Sequence, residues 1–232
     1  MTGVVLQARL SSSRLPDKVL LPLGQLTAIE HAMRALRELP VATWVLATDA
    51  ASCARLAPYA HKQGFALFAG DPEDVLHRYA AVVRRYRLDT VVRATGDNPL
   101  VSPQLARISL QAHFNSAAEY TGLLGPPLGT CVEVLDAAAL LAAEREADSP
   151  YDREHVAPYL YANPDRFRVL RPQVAARFSM PQARVTLDSI EDYERLQELY
   201  TDLYDGRPLE IAQVLAWLRQ QLIACVPESH RT

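Results

Sequence analysis

Short apolar runs at Val4–Leu6, Trp44–Ala47, Phe65–Ala69 and Val91–Ala94 alternate with segments of helical periodicity. That alternation is the mark of a mostly parallel sheet covered by helices, an α/β fold. The helical signals between the runs are explicit. Thr27 with Glu30 three residues on is a capping-box pattern, followed by Ile29, Met33 and Leu36 on one face and by Pro40. Asp71-Pro72-Glu73-Asp74 is expected to open a second helix with Asp71 as its cap, and Ser102-Pro103 a third. From Gly122 to Gly129 the chain is rich in Gly and Pro. A strand is expected at Cys131–Leu135, an apolar helix at Ala137–Ala147, a further strand at Arg184–Leu187, and two helices around 193–204 and 209–222. No internal repeat or linker interrupts the 232 residues, so one domain spanning 1–232 is expected.

In doubly wound sheets, ligands sit beyond the carboxyl ends of the strands. The polar motifs fall there. Immediately after the first run, Gln7 to Lys18 (QARLSSSRLPDK) gathers Arg9, Arg14 and Lys18 with Ser11, Ser12 and Ser13. So many cationic, hydroxyl and backbone donors in one loop suit a polyphosphate, and a nucleoside triphosphate is the expected ligand. The loop has no glycine and no G-x-x-x-x-G-K-S/T pattern, so side-chain charge must contribute more than bare amides. Lysine is rare here. Of 24 basic residues only Lys18 and Lys62 are lysine, leaving 22 arginines, which makes a lysine in this loop specific. Asp97, in Gly96-Asp97-Asn98-Pro99, and Asp188, after Arg184–Leu187, are carboxylates at strand ends that could share a Mg²⁺ ion with the phosphates. Read alone, each is equally a turn or helix-cap residue.

Composition narrows the setting. An apolar fraction of 49%, a charged fraction of 22% and a net charge of −3 are those of an ordinary globular protein and give no reason to expect a nucleic-acid partner. Cys53, Cys131 and Cys225 are far apart and odd in number, which predicts neither disulfides nor a zinc site and fits a reducing cytoplasm. Neither a targeting segment nor a membrane span is expected.

Taken in order, QARLSSSRLPDK, TGDNPLV, LGTCVEV, DREHVAPYLY and VTLDSIEDY resemble the cytidylyltransferases that make CMP-activated acidic sugars, closest to their spore-coat-polysaccharide-type branch. The resemblance runs from about residue 3 to 205. It implies a Rossmann-like nucleotidyltransferase fold with a small dimerisation arm, an arm and acceptor region at about 122–160, and a homodimer. It further implies transfer of CMP from CTP to an acidic sugar, with Mg²⁺ and release of pyrophosphate. The family's loop pattern, A-R-x-G-S-x-R-L-P-x-K, is matched at Ala8, Arg9, Ser12, Arg14, Leu15, Pro16 and Lys18, and its metal-binding aspartates fall on Asp97 and Asp188. The resemblance thus makes Gln7, Ala8, Arg9, Ser11, Ser12, Ser13, Arg14, Lys18, Asp71 and Asp97 nucleotide contacts. Lys18, Arg14, Asp97 and Asp188 are the catalytic set, and Arg78, Glu133, Arg153 and His155 the acceptor contacts.

Departures from the pattern are Ser11 and Asp17, where glycine is usual, and Cys131, where an acid is common. Asp17 would repel a triphosphate unless turned outward. A phosphonate or phosphorylated acceptor, or a non-catalytic nucleotide-binding protein of the same fold, are the competing readings. A related glycosyltransferase would need a D-x-D motif, and Asp97-Asn98-Pro99 lacks the second aspartate.

Overall fold

The computed structural model describes residues 1–224. Strands β1 (Thr2–Gln7), β4 (Thr43–Asp49), β5 (Ala66–Gly70) and β6 (Thr90–Thr95) are those the apolar runs announce. Strands β7 (Tyr120–Gly122), β8 (Glu133–Asp136) and β9 (Val169–Leu170) complete the sheet. Its seven strands run in the order β5-β4-β1-β6-β8-β7-β9, parallel from β5 through β6, with β8 antiparallel to both of its neighbours. A two-stranded ribbon, β2 (Pro22–Leu23) with β3 (Leu26–Thr27), stands apart.

The parallel strands read as continuous apolar runs because both faces are covered. Along β1, Val4 and Leu6 pack with Ile29, Met33 and Leu36 of α1 (Ala28–Arg37), while Val5 packs with Leu76, Tyr79 and Val83 of α3 (Val75–Tyr86). The helices α2 (Ala50–Lys62) and α4 (Pro103–Asn115) connect these strands; α5 (Ala137–Glu146), α6 (Pro150–His155) and α7 (Pro158–Ala162) follow β8. A third apolar cluster joins α8 (Ile190–Leu203) to α9 (Ile211–Ala224) through Leu196, Leu199, Leu215 and Trp217. The Thr27/Glu30 capping box forms as expected, and Ser102 caps α4 with Pro103 in its first turn. No described helix is long and apolar enough to cross a membrane.

Two local expectations are corrected. The cap of α3 is Asp74, whose carboxylate accepts from the His77 amide; Asp71 accepts instead from the amides of Glu73 and Asp74, a turn that leaves Pro72 outside the helix. Residues 184–187 are not a strand. They make an isolated bridge, Leu128 with Arg184, and then depart so that the Leu187 amide reaches the Asp97 carbonyl at 2.8 Å. The apolar Ala137–Glu146 helix buries Ala139, Leu140 and Ala143 in this chain's own core against α3 and α7. Among residues 122–129, by contrast, Leu124 and Leu128 are exposed.

Candidate active site

The register of β1 with β6 pairs Gln7 with Thr95, so the two following loops leave the sheet side by side. They touch. The Gly96 amide donates to the Gln7 carbonyl at 2.8 Å, and a Cβ at position 96 would stand 2.9 Å from that of Ala8 and 3.4 Å from the Gln7 carbonyl oxygen. Only glycine fits without a shift. Gly96→Ala is therefore expected to cost about 1–3 kcal/mol by overpacking. It should also move Asp97 off its partners, so a thermal melt and nucleotide affinity should both fall; an unchanged melt would show that the strand ends part easily.

The long loop after β1 is anchored at three points. The Leu10 amide donates at 3.0 Å to the Ser52 hydroxyl, which itself donates to Asp49, the buried cap of α2. Ser12 Oγ accepts from the Leu15 amide at 3.4 Å. Asp17 adopts φ 55°, the left-handed angle usually filled by glycine, and turns its carboxylate away onto Arg55 at 2.8 and 2.9 Å. The acid beside the lysine thus faces outward, and Ser11, the other departure, is not at positive φ.

These anchors deliver Lys18 to the carboxylates. Its Nζ lies 2.7 Å from Asp97 Oδ2 and 2.7 Å from Asp188 Oδ1, and Arg14 reaches Asp188 Oδ1 at 3.3 Å. Arg184 also pairs with Asp188. Burial works to raise the Asp188 pKa, yet the hydrogen bond and charge of Lys18 outweigh it and hold the carboxyl below its usual range. Ser189 caps α8 in a capping box with Asp192, which leaves Asp188 free of that duty. Four residues from three distant segments meet at one point.

The other expected contacts separate. Ala8 is buried under the loop, Gln7 Oε1 is buried without a hydrogen-bond partner, and Arg9, Ser11 and Ser13 are exposed, with Arg9 3.5 Å from Glu154. Asp71 is exposed in its turn. Arg78 is only 2% exposed and donates to the Asp71 carbonyl at 2.6 Å, its stem lying over Gly70. Arg153 clasps Asp74 and the Glu144 carbonyl, pinning α6 to the start of α3. His155 lies on the surface against Tyr151. Glu133 differs, lining a cavity of about 360 Å³ together with Thr95 and Asn98, the neighbours of Asp97. The anchoring roles of Ser52 and Arg55 and the Arg184 pairing had no signal in the sequence, since each depends on contacts across the fold.

A parallel sheet with a cationic loop after its first strand and a carboxylate after the fourth is the frame of the Rossmann-like nucleotidyltransferases. Solved structures bear this out: a cytidylyltransferase from Leptospira borgpetersenii matches with a TM-score of 0.87 at 24% identity, covering 96% of this chain and 95% of that one. A CMP:2-keto-3-deoxy-manno-octonic acid synthetase complexed with CTP matches with a TM-score of 0.69 at 19% identity, over 87% of this chain and 98% of the other. The chain belongs to the cytidylyltransferase family, whose model matches residues 4–222, and is a CTP-dependent nucleotidyltransferase. It is 39% identical over 223 residues, 93% of each chain, to the spore coat polysaccharide biosynthesis protein SpsF of Bacillus subtilis. It is 28% identical to a 3-deoxy-manno-octulosonate cytidylyltransferase of Nitrobacter winogradskyi, over 64% of this chain and 54% of that one.

Proposed function

We propose that this enzyme transfers CMP from CTP to an oxygen of an acidic sugar, releasing pyrophosphate, in the supply of activated sugars for a surface polysaccharide. The observation that carries the reading is the meeting of Lys18, Arg14, Asp97 and Asp188 at the carboxyl ends of β1 and β6. The acceptor oxygen attacks the α-phosphorus, the bond to the bridging oxygen breaks, and the electron pair leaves with pyrophosphate. Such a transfer needs positioning and charge neutralisation more than covalent help. Lys18 and Arg14 turn from the carboxylates to the phosphates and offset the charge on the leaving group. The backbone around Ala8 and Arg9 is a base-recognition candidate in the same loop.

Asp97 and Asp188 fit a Mg²⁺ ion. They are two carboxylates on one cation; no group of three or more His, Cys, Asp or Glu gathers among the described residues, but a hard ion that keeps waters and phosphate oxygens needs few protein ligands. When bound, such an ion neutralises phosphate charge and lowers the pKa of the attacking hydroxyl. A cytoplasmic setting suits Cys53 and Cys131, which are unpaired. A phosphonate acceptor is the second reading, since its charge would suit the same cavity.

The nucleotide is tested by differential scanning fluorimetry. CTP with Mg²⁺ should raise the melting temperature more than ATP, GTP or UTP, because a ligand that binds only the folded state stabilises it by mass action. Equal shifts for all four would leave a phosphate site without cytidine selectivity. Pyrophosphate release across a panel of acidic sugars and phosphonates then identifies the acceptor.

A further inference from the structure

Of the arginines expected to meet the acceptor, Arg78 is buried with Nη1 on the Asp71 carbonyl and Arg153 is held by Asp74 and the Glu144 carbonyl; neither lines the cavity beside Asp97. A different arginine stands at the right place. Beyond the register pair Thr121–Leu170 the chain passes directly to Arg171, which lines the 360 Å³ cavity beside Asn98 and Glu133. Its guanidinium lies 5.3 Å from the Tyr161 ring centroid and has no carboxylate partner among the described residues.

The charges around it leave a positive surplus. Glu133 accepts from Arg93 at 2.5 Å and from the Tyr120 hydroxyl at 2.8 Å, so that carboxylate is already balanced. Burial pushes the Cys131 thiol up to about 11, which keeps it neutral near pH 7. Asp97 points to Lys18. The cation lining the cavity without an opposing charge is Arg171.

We propose that Arg171 determines acceptor specificity, its fork gripping the two oxygens of an anionic group. The substrate class this defines is a polyhydroxylated acid, carboxylate or phosphonate, bound with its anion away from the phosphate loop and a hydroxyl beside Asp97. A planar guanidinium suits either anion through paired hydrogen bonds. The inference rests on the proposed CMP transfer and names the end of the acceptor that this enzyme selects.

The test titrates the full chain, saturated with a CTP analogue whose α- and β-phosphorus are joined by methylene. One arm uses 3-deoxy-manno-octulosonate and the other inorganic phosphate, both followed calorimetrically. The wild type should bind at least one probe, Arg171→Gln should weaken that binding by about 10-fold or more, and Arg171→Lys should fall between. Affinity for the CTP analogue and the melting temperature should stay as in the wild type, because Arg171 is exposed. Sugar-acid binding without phosphate binding selects the carboxylate; the converse selects the phosphoryl-type anion. Equal binding by Arg171→Gln, or no binding of either probe by the wild type, overturns the assignment. Failure of the CTP analogue itself to bind would instead remove the proposed transfer on which it stands.

Discussion

Asp188→Asn and Asp97→Asn should each lower turnover by on the order of 10²-fold or more, measured as pyrophosphate release at saturating Mg²⁺ and CTP. Asparagine keeps the shape and removes the charge. Asp188 is the more sensitive of the two because three cations, Lys18, Arg14 and Arg184, converge on it, whereas Asp97 holds Lys18 alone. Folding should survive in both variants. The start of α8 is capped by Ser189 and Asp192, and the backbone bond from Leu187 to Asp97 does not involve either carboxylate. Near-full activity in either variant would make that carboxylate an ion-pair partner of the loop and nothing more.

Lys18→Arg, although it conserves charge, should also lose on the order of 10²-fold in turnover, the scale of removing one preorganised donor. The ammonium sits 2.7 Å from two carboxylates on different segments, with its side chain only 13% exposed. A compact ion on a thin stem fits between them; a planar fork needs more room and a different approach. Lys18→Met should lose at least as much. It should also gain something: the ammonium lies 2.7 Å from each of the two carboxylates proposed to hold the metal, so its removal should tighten Mn²⁺ binding measured in the absence of CTP. Electron paramagnetic resonance of free Mn²⁺ reads this directly. If Lys18→Met binds Mn²⁺ no better than the parent, the lysine and the metal do not compete for the pair. Activity of Lys18→Arg within a few-fold of the parent would show that position 18 needs only positive charge.

Much of this was legible in the chain. The four parallel strands are continuous apolar runs, and their helices carry their own caps, so period and capping suffice to place them. The loop after β1 stands out by its composition, and its lone lysine by rarity. Where reading failed, the cause was a local signal shared by two outcomes. Asp71 and Asp74 both precede the same helix, and a carboxylate three residues before an amide looks alike in a turn and in a cap. Val185 to Leu187 look like a strand, yet their backbone is divided between the Leu128 carbonyl and the Asp97 carbonyl. Arg78, Arg153 and Arg171 cannot be ranked from sequence at all. Each is an arginine near a motif, and only burial and partners tell which has a free guanidinium.

The sequence by itself determined the four parallel strands and their covering helices and singled out Lys18, Arg14, Asp97 and Asp188 as candidates, because apolar period, caps and charged residue types are local properties of the chain. Only the tertiary structure decided that Lys18 stands between Asp97 and Asp188, residues 79 and 170 positions away. It also decided that Asp17 faces Arg55, and that Arg171 rather than Arg78 lines the cavity beside Asp97. Those facts are distances between remote segments, set by strand register and by the packing that brings two loop ends together, and no window of sequence contains them.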